Sequence, residues 1–209
     1  MGVSMARAQS HKDGTPVEDR IEHAVFQLMA TTDIPDIRVA DAVRLAHVSR
    51  STFYRYFDSI DAVVKAFEDK LLENMRSINA VALQARFSDA ELDPTPTMIS
   101  RMEVLRAHRE QIVALNGPHG DPVFTHKATI FMHDHFRDRL SSLPGDEQTR
   151  DLYLSFALAG HNNLIQYWLE ERPEIEPRVI AAALNRFFYA PFFLNEQASR
   201  QVPRSLRFE

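Results

Sequence analysis

Residues 39–63 read VADAVRLAHVSRSTFYRYFDSIDAV, and this stretch decides the fold. Val39, Ala42, Val43 and Ala46 fall at helical spacing and give a short helix one buried face. Ser49 is of the residue class that caps helices, and it stands ahead of a second run, Arg50 to Phe57, in which Phe53 and Phe57 point inward. Between the two runs, Ala46-His47-Val48 leaves room only for a tight turn. Small Ala42 and Ala46 permit close packing, and Val48 plugs the angle between the helices. The outer face of the second helix offers a guanidinium, hydroxyls and two phenols. Such groups meet guanine edges, thymine methyls and phosphate oxygens. A helix fits the major groove, with its N-terminal residues at the bases.

Outward from there the pattern stays helical, with no alternating strand pattern and no internal repeat. Residues 1–16 read as a polar tail. A first helix runs from Val17 to Thr31, with Ile21, Ala24, Val25 and Leu28 on one face. Asp33-Ile34-Pro35-Asp36 breaks it, and Asp36 is expected to cap the next helix. Asp58 or Ser59 caps a long fourth helix, residues 60–85, striped by Ile60, Val63, Val64, Phe67, Leu71, Met75 and Ile78. Asp93-Pro94 forms a linker. Thr95-Pro96 is a cap-then-proline start for a helix ending near Leu115. Asn116 to Gly120 is a turn, and Asp121-Pro122 opens a helix to Leu140. A long helix follows over 147–171. The last spans 177–195, with Pro191 bending or ending it, and residues 196–209 read as a frayed tail. The expectation is an all-α chain of about eight helices, or nine if one is split.

Composition narrows the function classes. The chain has 209 residues, 44% hydrophobic and 25% charged, which is ordinary globular composition for one large or two small domains. There are 0 Cys, so a disulfide framework, a thiolate zinc site and a cysteine nucleophile are excluded, and a reducing cytoplasm fits. Only 6 Gly are present, and Gly-rich phosphate loops are absent. No apolar run approaches the ~20 residues that span a bilayer, so no membrane partner is expected. The net charge of −5 is uneven. Residues 38–57 hold Arg38, Arg44, Arg50 and Arg55 against Asp41, a local +3 that leaves −8 for the rest. A basic patch on an acidic body keeps nucleic-acid binding open.

The quoted stretch resembles the DNA-binding head of the TetR/AcrR family of bacterial regulators, above all in Val-Ser-Arg-Ser-Thr-Phe-Tyr-Arg-Tyr-Phe, residues 48–57. The likeness covers Val17 to Lys70 as sequence. It continues as architecture through Phe156-Ala157-Leu158-Ala159-Gly160 and Tyr167-Trp168-Leu169-Glu170, similar to the penultimate helix of many members. It implies that Ser49 caps the recognition helix, that Arg50, Ser51 and Thr52 lie at the groove with Arg50 as base reader, and that Tyr54 and Tyr56 bond phosphates. Arg55 and Arg38 complete the expected DNA-contacting set. Three positions depart from the family pattern. His47 stands where the family usually has Gly, Ile60 where it has a phosphate-contacting Lys, and Arg38 where it favours Thr. His is among the residues that tolerate positive φ, and Arg38 is placed to replace the lost phosphate contact.

The remaining chemistry lies in the C-terminal half. Of 9 His, five fall at 119, 126, 133, 135 and 161, without the i,i+4 spacing of a helical zinc site. No metal, cofactor or catalytic site is expected, and solvated or hydrogen-bonded His is the better reading. Aromatic residues exceed what one small helical core needs. The last two helices are apolar on more than one face, which implies burial against a partner. Leu164, Tyr167, Trp168, Phe187 and Phe188 are the expected homodimer contacts. His126, Phe131, His133, Phe156, His161, Asn162 and Gln166 are the expected lining for a mainly apolar small-molecule effector. The expected organisation is therefore a tail (1–16), a helix-turn-helix head (17–59), a helical regulatory and dimerisation domain (60–195) and a C-terminal tail (196–209). The resemblance implies a cytoplasmic dimeric repressor that binds a palindromic double-stranded operator and is released by its effector. The alternative is a helical interaction module whose head no longer reads DNA. An enzymatic reading rests only on the His set.

Overall fold

The structure is a computed structural model, and it describes residues 15–82, 94–140 and 146–198. Among these residues there are nine α-helices and no strand. They are α1 (Val17–Met29), α2 (Val39–Leu45), α3 (Arg50–Tyr56), α4 (Ile60–Ala82), α5 (Pro96–Ala107), α6 (Arg109–Asn116), α7 (Pro122–Leu140), α8 (Glu147–Glu171) and α9 (Pro177–Ala198). Two compact units divide them. One holds residues up to Glu73 together with Glu110–Thr125, and the other holds Asn74–Arg109 and the chain from His126 onward.

In the first unit, α1 buries Ile21, Ala24, Val25, Phe26 and Met29. The expected stripe of α4 is the matching surface. Ile60, Val63, Val64, Phe67 and Leu71 are buried in this unit, and farther along α4, in the second unit, Met75 is buried and Ile78 half-buried. Phe26 meets Phe67 edge-on with ring centroids 4.8 Å apart. Ile112, Leu115 and Phe124 add to this apolar interior. Polar contacts tie α1 to the later segment of the same unit. Gln111 Nε2 donates to Glu22 Oε1 at 3.4 Å, and His119 Nδ1 lies 2.6 Å from Asp33 Oδ1. Burial pushes the Glu22 carboxyl up, with Lys70 opposing the shift. The turn before α7 requires glycine at 120, because a Cβ there would fall 1.9 Å from the Leu115 carbonyl oxygen.

In the second unit, α5 packs on α9 and α8 on α9. Met102, Leu105, Phe136, Leu154, Leu158, Leu169, Ile180 and Leu184 are buried. Trp168 is fully enclosed, and its Nε1 donates to the Ile175 carbonyl at 2.9 Å. Arg109 donates to the carbonyls of Leu169 and Glu170, satisfying acceptors that the end of α8 leaves open.

The caps largely follow the sequence. Ser59 Oγ accepts from Ala62 N, Thr95 Oγ1 from Met98 N, and Asp121 Oδ1 from Val123 N. Asp36 does not cap α2. It closes a one-turn 3-10 helix, Ile34–Asp36, and Arg38 takes the N-cap position without a side-chain bond. The helix expected from Thr95 to Leu115 is two helices. His108 adopts φ −109 and ψ 27, off helical values, with no Pro or Gly to announce the break. Pro191 does not end α9, which continues to Ala198. Helix α1 stops at Met29, two residues short of expectation. The expected end of the fourth helix at 85 lies outside the described residues.

Candidate functional site

The helix-turn-helix is built by short-range bonds. The Val48 amide donates to the Val43 carbonyl at 3.0 Å, and the His47 amide to Arg44 at 3.3 Å. His47 has φ 53, in the left-handed region that glycine occupies freely. Ser49 Oγ accepts from the Thr52 amide at 3.0 Å. The same hydroxyl lies 2.8 Å from Ser51 Oγ and 2.8 Å from Thr52 Oγ1. Ser49 is thus committed to starting α3, and the three hydroxyls form one connected edge. Phe53 and Phe57 are buried with centroids 6.2 Å apart, which fixes the inner side of the helix.

Opposite them, Arg50, Ser51, Tyr54 and Arg55 are exposed on one face, with Tyr56 at its border and Thr52 half-buried. The Arg55 guanidinium sits 5.3 Å from the centre of the Tyr56 ring. Arg44 is paired with Asp41 at 2.7 Å. The local +3 therefore resides on Arg38, Arg50 and Arg55, all exposed. Ile60 is buried beside Val63 and Val64, so the position that carries a lysine in the family serves the core here.

The second candidate is a cavity of about 250 Å³ on α8 and α9. Tyr153, Ala157, Gly160 and Leu164 line it from α8, spaced four, three and four residues apart, and Leu184 lines it from α9. Phe156 and Phe187 stand at its edge, 80% and 73% exposed. His161 completes the lining. Its imidazole is buried and edge-on to Phe136, with centroids 6.2 Å apart. Burial, helped by the nearby Arg101 cation, lowers its pKa to about 4. The ring is neutral at physiological pH. Arg101, His161 and Asn185 are buried polar residues of this unit.

Of the expected ligand set, only Phe156 and His161 reach this cavity. His126 is exposed on α7. His133 Nδ1 lies 2.9 Å from Arg137 Nη2, Phe131 packs under Arg76, and Gln166 is bonded to Glu170. Asn162 is exposed, its Oδ1 3.5 Å from His161 Nδ1. Of the expected dimer contacts, Leu164 and Phe187 line the cavity and Tyr167 is 48% exposed. Trp168 has no exposed surface to offer a partner, so that expectation is corrected. Its indole satisfies its own chain instead. The Phe188 side chain lies outside the described residues. Tyr153, Ala157, Gly160 and Leu184 were missed as lining, although the regular spacing on α8 marks one helix face.

Residues 93–189 match a family model of the TetR type, described as "Transcriptional regulator C-terminal region". The C-terminal region of the chain is therefore similar to that of TetR-type regulators. Solved structures extend the likeness across both units. The fatty acid degradation regulator FadR from Bacillus halodurans is 13% identical, with a TM-score of 0.59, 85% of this chain covered and 96% of that one. A TetR transcriptional regulator from Streptococcus agalactiae is 18% identical, with a TM-score of 0.53 and coverage of 82% and 93%. The dihydroxyacetone kinase operon activator DhaS is 14% identical, with a TM-score of 0.55 and coverage of 85% and 97%. At these identities the neighbours bear on fold. No curated protein matches the sequence. No helix among the described residues is long and apolar enough to cross a membrane.

Proposed function

We propose that this chain is a TetR-type regulator: a cytoplasmic, homodimeric DNA-binding repressor. Residues 17–59 read a palindromic operator, residues 60–195 carry dimerisation and regulation, and a small molecule releases the DNA. The observation that carries the reading is the outer face of α3. Arg50, Ser51, Tyr54 and Arg55 are held outward by a capped helix whose inner side is fully packed. Arg50 and Ser51 stand at the helix start, where a recognition helix meets base edges. Tyr54, Tyr56 and Arg38 suit phosphates.

Two recognition helices must sit about 34–36 Å apart to enter successive major grooves, so a palindrome is the expected site. Exposed Tyr167 on α8 and Phe187 on α9, with half-buried Leu164, supply the pairing surface. The effector is mainly apolar, in keeping with the aromatic content of the body. It acts by preferring the DNA-free state, a coupling typically of ~1–3 kcal/mol.

Selection of bound sequences from a random DNA pool tests the reading. An inverted repeat with half-sites about one helical turn apart is expected, bound less tightly as salt rises. Uniform weak binding to every sequence would instead support the buried Ile60 as the mark of a head that no longer reads DNA.

A further inference from the structure

The turn ahead of α3 carries a side chain at a backbone position that disfavours one. His47 is the one residue other than glycine with positive φ among the described residues, at 53°. The left-handed region is costly for a side chain, and glycine enters it without that cost. The turn closes on backbone bonds. Ala46, His47 and Val48 donate to the Ala42, Arg44 and Val43 carbonyls at 2.8, 3.3 and 3.0 Å. The imidazole is exposed, and it makes no hydrogen bond, ion pair or ring contact among the described residues. A strained backbone position occupied by an exposed imidazole points to a role in binding.

We infer that His47 is a further DNA-contacting residue, whose imidazole donates a hydrogen bond to a backbone phosphate at the edge of the major groove. This rests on the DNA-binding reading above and adds a residue to that face. The position of the turn supplies the argument. In a docked helix-turn-helix the first helix crosses the phosphate backbone, and the second puts its N-terminal residues at base edges. The chain between them therefore passes from the phosphates to the bases, and His47 lies on that passage. It stands two residues ahead of the cap Ser49, a span of at most about 7 Å. The major groove is about 12 Å wide, so a group this close to a helix seated in it reaches the phosphate wall. Charge supports the assignment. Arg44, three residues back, is engaged by Asp41 at 2.7 Å, and Ile60 at the start of α4 is buried and apolar. The head is thus short of phosphate donors, and an imidazole N–H facing solvent is one more.

The experiment starts from the operator that the wild-type chain selects from a random DNA pool. Fluorescence anisotropy then compares wild type, His47→Gly, His47→Asn and His47→Asp on that operator and on unrelated duplex DNA. His47→Gly should melt no lower than wild type. It should nevertheless bind both DNAs about tenfold more weakly, since a phosphate contact carries no sequence information. Asn and Asp both accept positive φ, and they differ in offering the phosphate a donor or an anion. His47→Asn should stay within about threefold of wild type, and His47→Asp should bind at least about tenfold more weakly than His47→Asn. If His47→Gly melts lower, the Asn and Asp pair carries the test by itself. Neutral methylphosphonates placed one at a time along each half-site locate the contact, and at one of them wild type should lose its advantage over His47→Gly. A His47→Gly variant that binds as wild type does, or Asn and Asp variants that bind alike, would overturn the inference and leave the DNA-binding reading intact. A wild type that selects no operator would overturn both.

Discussion

Helices α3 and α8 both present a set of side chains to solvent, and the two sets are chemically opposite. The 7 residues of α3 turn out cations, hydroxyls and phenols over a base of Phe53 and Phe57. The 25 residues of α8 turn out Leu152, Phe156 and Tyr167 over a base of Leu154, Leu158, Trp168 and Leu169. In each case the inner side fixes the helix and the outer side faces solvent. A polar outer face is ordinary for a surface helix and becomes informative only through its particular residues. An apolar outer face is informative by itself, because leaving aromatic rings in water forgoes their burial.

The strongest break in that comparison pairs two phenylalanines. Phe53→Ala removes a side chain with 0% exposure and should destabilise the chain by about 3–5 kcal/mol. Phe156→Ala, at 80% exposure, should change single-chain stability by no more than about 0.5 kcal/mol. Urea unfolding at a dilution that keeps the chain monomeric measures both. Comparable losses would erase the distinction between inner and outer faces.

Next in size is the buried His161. Its pKa is lowered from 6.5 to about 4, so the unfolded chain binds the proton more readily. The neutral ring is tolerated fully above pH 6.5, and stability falls as pH drops from 6.5 through 4. The loss approaches about 3 kcal/mol at the acid end, at 1.36 kcal/mol per unit. Chemical denaturation at several pH values should show this slope in wild type and its reduction in His161→Gln. An unaltered slope in the variant would assign the acid sensitivity to other groups.

On the α3 side, Arg50→Ala should lose about 1–3 kcal/mol of operator binding and relax preference at one base position per half-site. Tyr56→Phe should weaken all sequences about equally. Fluorescence anisotropy on a base-substitution panel separates the two patterns. Identical base preferences in wild type and Arg50→Ala would take the reading role from Arg50. The smallest effect is expected at His47→Gly, a gain below about 1 kcal/mol as the positive φ is relieved. A large loss on thermal melting would mean that the imidazole holds the turn by contacts of its own.

The head was legible almost residue by residue. Ser49 as cap, Phe53 and Phe57 as inner side and the positive φ at His47 all rest on interactions within a few residues. The ligand and dimer sets were less legible. Histidines at 126 and 133 share a helix face with each other, but periodicity carries no information on which other helix that face meets. Gln166 and His133 found partners one helical turn away, Glu170 and Arg137. Such local bonds compete with any role at a distant site.

What the sequence determined by itself is the set of features made by neighbours in the chain. These include the cap-then-proline starts at Thr95 and Asp121, the buried stripe of α4 and the tight turn ahead of α3. Their energies come from bonds and side-chain spacings within one or two helical turns, so the residue order specifies them. Tertiary structure alone decided the rest. It split the expected 95–115 helix at His108 and sent Arg109 to carbonyls 60 and 61 residues away. Trp168 was enclosed while Tyr167, its neighbour, stayed exposed, and His161 was buried near Arg101. A helix apolar on several sides has more than one way to bury itself, and the choice is made by helices distant in the sequence that compete for each face.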